Sequence, residues 1–274
     1  MITRPIPSSG ETLPVIGLGT WQTFDVGADA ARRVPLRGVL QEFVSCGASV
    51  IDSSPMYGTA ESVVGDLTTE LRIQPQLFIA TKVWTKGRAD GVRQMEESMR
   101  RLRVERLDLM QVHNLVDART HLDTLRGWKA DGRVRYIGVT HYTSRGAEEI
   151  ADLLGTEAVD FVQINYAPTE RDAERRLLPL AIDRGIAVLA NRPLGGEGGG
   201  ALQRLRERPL PPWAAEIDCT TWAQLFLKFV VSHPAVTCAI PATRRPEHLR
   251  DNMHAGAGRL PDERLRAMIV SAIA

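Results

Sequence analysis

Along the whole chain, short apolar runs alternate with amphipathic stretches, and this alternation constrains the fold more than any other feature. Candidate strands are "VIGLG", "SVID", "LFIATK", "LDLMQVH", "YIGVT", "DFVQIN", "AVLAN" and "TCAIP", eight in all. Between them lie helical patterns such as "LRGVLQEFVSCG", in which Leu36, Leu40, Phe43 and Val44 share one face. "AESVVGDLTTEL", "VRQMEESMRRL", "RTHLDTLRGWKADG", "RDAERRLLPLAIDRG" and "TWAQLFLKFVVSH" behave in the same way. Several of these stretches end in glycine, as helix C-termini often do. Most of the strands are apolar on both faces, the pattern of parallel strands covered by helices.

Eight β–α units within 274 residues predict one α/β domain over residues 1–274, a closed (β/α)8 TIM barrel. The opening "PIPSSGETLP" reads as an N-terminal β-hairpin plugging the bottom, and "LPDERLRAMIVSAIA" as an extra C-terminal helix against the outside. The competing architecture is an open dinucleotide-binding sheet, because "GEGGGA" from Gly196 to Ala201 fits G-x-G-x-x-A. That fingerprint needs a βαβ unit ending in an acidic residue. Here Pro209, Pro211 and Pro212 interrupt any such unit, so the glycines are read as a mobile loop.

Composition removes several function classes. The formal net charge is +1 and no basic stripe is present, which argues against nucleic acid. No run approaches the ~20 apolar residues of a membrane span. The start "MITRPIPSSGETLP" has no apolar signal region, so a cytoplasmic location is expected. The three cysteines, Cys46, Cys219 and Cys238, are far apart and odd in number, and the six histidines show no paired pattern. Neither a disulfide framework nor a metal site is expected. Cys46, late in a helical stretch, is read as a buried thiol.

In barrels of this type chemistry sits where strands end and βα loops begin. Those positions hold Asp52 after "SVI", Lys82 after "FIAT" and His113 after "LDLMQV", with Tyr57 in the loop past the first of them. Each alone suits a bland role: a capping aspartate, a paired lysine, a core histidine, a packing tyrosine. Three ionisable groups closing three sequential apolar strands are costly to bury unless they pair with one another.

With these residues in view the chain resembles an aldo-keto reductase over nearly its whole length. "GLGTW", "IDSSPMYGTAESVVG", "ATKVW", "LDLMQVHN", "IGVT", "VQINY", "RPLGG" and "IPATRRPEHLRDN" stand in that family's order. The resemblance implies that Asp52, Tyr57, Lys82 and His113 form the catalytic tetrad of a reductase of aldehydes and ketones. Hydride would come from NADPH, with NADH as the second candidate, and Tyr57 would be the general acid. A tyrosine near pKa 10 is a poor acid at neutrality. An ammonium ~4 Å away contributes about 4 kcal/mol, or roughly three pKa units, so Lys82 is expected to pull Tyr57 down. Asp52 would hold Lys82 charged, and His113 would orient the carbonyl oxygen.

The resemblance also implies a cofactor site. Thr20 and Asp52 fall near the nicotinamide ribose, and Thr140, His141 and Gln163 at the carboxamide. His141 departs from the family's usual asparagine. Asn191 departs too, standing where many members place a stacking aromatic ring. Arg192 is expected at the pyrophosphate, with Leu194 and Gly195 in a lid "LGGEGGG". At the adenine end stand Ile240, Ala242, Thr243, Arg244, Arg245, His248 and Asn252. Arg244 and Arg245 are expected to read a 2′-phosphate, to which arginine forks are suited. Trp21, Trp84, His113 and Asn114 would wall the substrate site. The loop after His113 is short and little chain follows the last helix, so an open, permissive pocket for a small carbonyl compound is expected. The chain is expected to be a monomer or weak oligomer. Two other functions fit a barrel with these residues: a non-catalytic nicotinamide-binding regulatory subunit, and a Schiff-base lyase or isomerase built on Lys82.

Overall fold

The computed structural model describes residues 1–143, 145–196, 200–205 and 207–273. Eight parallel strands follow one another in chain order: β3 (Leu18–Gly19), β4 (Val50–Asp52), β5 (Phe78–Val83), β6 (Leu107–His113), β7 (Val134–Thr140), β8 (Phe161–Asn165), β9 (Ala187–Asn191) and β10 (Val236–Ala239). Each of the eight predicted runs overlaps one of these strands. The sheet closes on itself through isolated parallel bridges, Ile16 to Ala239 and Gly19 to Ala242. The predicted first strand is longer than β3 because Ile16 and Gly17 pair through this seam, where Gly17 N donates to Ala239 O at 2.8 Å. Glycine is required there: a Cβ at Gly19 would lie 2.8 Å from the Ile240 carbonyl oxygen. The closed parallel sheet excludes the open dinucleotide-binding alternative.

Before the barrel, β1 (Thr3–Pro5) and β2 (Thr12–Pro14) pair antiparallel as the predicted hairpin. Ile6 and Leu13 of this hairpin are buried in one cluster with Val50, Phe78, Leu109, Tyr136, Phe161 and Leu189, which fills the lower barrel. Arg4 fastens the plug by donating to the carbonyl oxygens of Val231 and His233, both at 2.6 Å.

Helices α1 (Ala30–Ser45), α2 (Ala60–Glu70), α3 (Arg88–Leu102), α4 (Ala118–Ala130), α5 (Gly146–Leu153), α6 (Leu177–Asp183), α7 (Gly200–Leu205), α8 (Trp222–Ser232), α9 (Pro246–His254) and α10 (Glu263–Ile273) cover the outside. Helix α1 begins six residues before the predicted stretch, capped by the Asp29 carboxylate accepting from Arg32 N at 3.1 Å. Of the stretch 171–185 only α6 is α-helical, behind a 3-10 turn at Asp172–Glu174. Cys46 corrects the buried-thiol reading: it caps the C-terminus of α1 and is half-buried, beside Glu42. Cys219 and Cys238 are buried and unpaired. Among the described residues no helix is long and apolar enough to cross a membrane.

Candidate functional site

Strand alternation sets the chemistry of the barrel interior. Residues i and i+2 point to the same face, so each inward row passes from apolar at the floor to polar at the C-terminal rim. Val50 precedes Asp52, Ala80 precedes Lys82, Leu109 precedes Gln111 and His113, and Phe161 precedes Gln163. The lower members belong to the floor cluster. The upper ones meet one another: Lys82 Nζ donates to Asp52 Oδ2 at 2.6 Å and to the Ser53 carbonyl at 2.7 Å, and Gln111 Nε2 donates to Asp52 Oδ1 at 3.3 Å.

The Lys82–Asp52 pair is withdrawn from water, with side-chain exposures of 1% and 4%. Burying two charges is tolerated only with a close partner and further hydrogen bonds, and both conditions are met. Tyr57 arrives from the β4–α2 loop. Lys82 Nζ lies 5.2 Å from its ring centroid, and the His113 ring stands edge-on at 6.2 Å. The four predicted tetrad residues therefore converge at one rim. Ser54, absent from the sequence expectations, sets the histidine. Its Oγ accepts from Met56 N at 3.2 Å and lies 3.3 Å from His113 Nδ1. An imidazole that accepts the Ser54 hydroxyl proton at Nδ1 carries its own proton on Nε2, where it can donate into the cleft.

The electrostatics depart from expectation at Tyr57. Burial pushes the phenol above its ordinary value of 10.0, and repulsion from Asp52 adds to this; the opposing attraction of Lys82 does not compensate. The sequence expectation that Lys82 brings Tyr57 below its usual range is corrected: Lys82 moderates a rise. Burial also pulls Lys82 down, but Asp52 and Tyr57 hold the amine above its ordinary 10.5. Burial and the Lys82 charge lower His113 to about 3, so it is a neutral hydrogen-bond donor at physiological pH.

Above the tetrad opens a cleft of about 1100 Å³. It brings together Thr20, Trp21, Trp84, Asn114, Thr140, Gln163, Asn191, Arg192, Leu194, Ile240, Ala242, Thr243, Arg245, His248 and Asn252. His141, Gly195 and Arg244 stand outside its lining. His141 is turned away because its Nδ1 accepts from the backbone N of Tyr142 at 3.1 Å and of Thr143 at 3.3 Å. Gly195 turns the chain at φ +81°, and Arg244 is exposed. The expected lid falls partly on 197–199, outside the described residues. Several lining residues had no place in the expectations: Arg208, Leu210, Trp222, Tyr142, Met56 and Asp251.

The cleft shows acceptors without donors. The side-chain oxygens of Gln163, Asn191 and Asn114 are buried and have no hydrogen-bond partner. Buried carbonyl oxygens are normally satisfied, so a ligand carrying N–H groups, such as a primary amide, fits here. Three lining residues, Gln22, Asn114 and Arg192, hold left-handed backbone angles (φ 59°, 52° and 48°), a strain that clusters at functional sites.

The sequence profile of the Aldo/keto reductase family matches residues 15–269. The chain belongs to the aldo/keto reductase family. Among its relatives, methylglyoxal reductase YeaE of Escherichia coli is 30% identical over 259 residues, 92% of this chain and 89% of that protein. Aldo/keto reductase from Klebsiella pneumoniae, solved in complex with NADP and acetate, is 28% identical with a TM-score of 0.78, over 96% of this chain and 93% of that one. The thermostable aldo-keto reductase Tm1743, solved with the inhibitor epalrestat, is 28% identical with a TM-score of 0.80 over the full length of both chains. This aldo/keto reductase is accordingly an oxidoreductase on a barrel scaffold, with its polar residues gathered at the rim where βα loops begin.

Proposed function

We propose that this aldo/keto reductase reduces aldehydes and ketones to alcohols with NADPH, acting on small carbonyl compounds in the cytoplasm as a monomer or weak oligomer. The observation carrying this reading is the buried Lys82–Asp52 pair under Tyr57, beside a neutral His113, at the floor of a large cleft. The unpartnered oxygens of Gln163 and Asn191 suit the carboxamide of a nicotinamide, with Thr140 beside them; Thr20 and Asp52 would serve the adjoining ribose. Arg245, Thr243, His248 and Asn252 suit the adenosine end. Arg245 now pairs with Glu247 at 2.6 Å, and its guanidinium would turn from that carboxylate to a 2′-phosphate.

When bound, the nicotinamide supplies hydride. The chain supplies the proton and its control. Tyr57, un-ionised at neutral pH, holds the proton that the carbonyl oxygen acquires. His113 donates to that same oxygen through Nε2. Lys82 stabilises the tyrosinate left behind, and Asp52 keeps Lys82 charged and fixed. A charged amine is a poor nucleophile, so the arrangement disfavours a Schiff base on Lys82.

The test is nucleotide titration followed by intrinsic tryptophan fluorescence, then turnover of a panel of aromatic and aliphatic aldehydes. Saturable NADPH binding with oxidation of NADPH in proportion to aldehyde is expected. Binding without turnover of any aldehyde would favour the regulatory-subunit reading.

A further inference from the structure

One buried ionisable group has no part in the reaction as described. Glu61 is the second residue of α2, the helix that the Tyr57 loop enters, and its side chain is closed to water. Carboxylates are costly to bury without a close cation. The other two buried carboxylates among the described residues obey this rule: Asp52 pairs with Lys82, and Asp160 accepts from Lys129 Nζ at 2.6 and 2.8 Å. Glu61 does not. Its Oε2 has no hydrogen-bond partner, Arg101 Nη1 stands 3.8 Å away, and Arg101 Nε is taken by Glu97 at 2.7 Å. Burial accordingly pushes the Glu61 carboxyl above its ordinary 4.5.

The close partner of Glu61 belongs to the catalytic strand. Its Oε1 accepts from Thr81 Oγ1 at 2.6 Å, and Thr81 directly precedes Lys82 on β5. Successive strand residues face opposite sides, so Lys82 enters the barrel while Thr81 points out to α2. Among the described residues this is the one side-chain hydrogen bond between α2 and β5. On the other side of Glu61, Ala60 N donates to Tyr57 O at 3.1 Å, and Tyr57 N donates to Ser54 O at 3.0 Å. The chain from Tyr57 to Glu61 is therefore one tight turn leading into the helix. Gly65, four residues on and so on the same face, seats α2 against the Arg101 carbonyl of α3.

We infer that Glu61 is a positioning residue: by way of Thr81 it ties the element that delivers Tyr57 to the strand that delivers Lys82, and so fixes the spacing of phenol and ammonium. The inference rests on the reductase reading above. The attraction between the ammonium and a tyrosinate falls with distance, and a misplacement of about 1 Å in a catalytic site can cost roughly 10²-fold in rate. Neither Glu61 nor Thr81 lines the cleft, so loosening the tie lowers kcat and leaves binding alone.

The experiment separates the bond from the stability it brings. Thr81→Val and Glu61→Leu each remove one end of it, and Glu61→Gln keeps an acceptor for Thr81. The double variant Glu61→Leu with Thr81→Val makes both ends apolar, which restores much of the stability lost by stranding one of them. Initial rates of NADPH oxidation with 4-nitrobenzaldehyde give kcat and KM at a temperature where circular dichroism shows each variant folded. Tryptophan fluorescence gives NADPH affinity. Thr81→Val, Glu61→Leu and the double variant are expected to lose about tenfold or more in kcat, with KM and NADPH affinity within about twofold. Glu61→Gln recovers most of the rate lost in Glu61→Leu. Deuterium exchange of the peptide spanning residues 57–63 is a readout independent of turnover. It quickens in the three variants lacking the bond and not in Glu61→Gln. Full kcat in the double variant, a Glu61→Gln rate as low as that of Glu61→Leu, or a loss confined to Tm overturns the assignment. Should a single variant fail to fold, the double variant and Glu61→Gln decide. Absence of turnover with every aldehyde in the wild-type protein refutes the reductase reading instead, and exchange at 57–63 then still decides whether Glu61 holds the turn.

Discussion

At the scale of single residues, the site depends on a phenol kept protonated by burial and an amine kept charged by a buried carboxylate. On the proposed function Tyr57 is the proton donor, so Tyr57→Phe is expected to lower kcat by roughly 10²- to 10⁴-fold, the loss of a positioned general acid. NADPH affinity, followed by fluorescence, should change little; retention of full rate would remove Tyr57 from its role. Because burial raises Tyr57 above its ordinary value, the reduction rate should stay level from neutrality up to the onset of phenol ionisation. It should fall only at higher pH, where the proton is gone. Lys82→Met strands Asp52 as an unpaired buried charge, a change that costs roughly 3–5 kcal/mol in comparable sites. Equilibrium urea unfolding measures that loss separately from the loss of activity. At the adenosine end, Arg245→Ala combined with Arg244→Ala should lower the NADPH-to-NADH ratio of kcat/KM. An unchanged ratio assigns the phosphate to another cation of the cleft, of which Arg208 is the first to test.

At the scale of elements, what could be read from sequence follows what is periodic. The strands were legible because each is a continuous apolar run, and the gathering of Asp52, Lys82 and His113 at one rim because they break such runs at their C-terminal ends. Gln111 was legible in principle, lying two residues before His113 and hence on the same inward face of β6. Ser54 was hidden inside a turn-forming stretch whose composition explains itself without a histidine partner. Part of the cleft lining was not legible: Arg208 and Leu210 come from an irregular segment, and Trp222 from the first turn of α8, where no period announces a shared surface. The turning of His141 away from the cleft depends on backbone N–H groups of its own loop, which a comparison of residue types cannot see. Helix packing supplies a further test. A Cβ at Gly65 of α2 would fall 2.1 Å from the Arg101 carbonyl oxygen at the end of α3. Backbone cannot yield as a flexible side chain does, so Gly65→Ala is expected to destabilise the protein by about 1–3 kcal/mol. A rise or no change in Tm would contradict the close approach of α2 and α3.

At the scale of the molecule, two histidines link stability to acidity. Burial lowers His113 to about 3 and His233 to about 4, from 6.5. Between those values and 6.5 the unfolded chain binds protons that the folded chain refuses, so stability rises with pH across this window. The contribution is complete above 6.5 and is lost as pH falls through the folded values. Tm should therefore decline from pH 7 to pH 4, and His233→Asn should make the decline shallower. An identical slope would mean that His233 is already protonated in the fold. The seam of the cylinder carries a different consequence. Ile16 and Gly19 take their partners from Ala239 and Ala242, roughly 220 residues further along the chain, the kind of distant pairing that slows folding. While the chain is being synthesised, the first unit has no neighbour on one side, and its strand edge stays open to other nascent chains until the last unit emerges. Yield of active protein in a cell should thus depend on chaperone capacity and on growth temperature more steeply than the stability of the finished barrel would suggest.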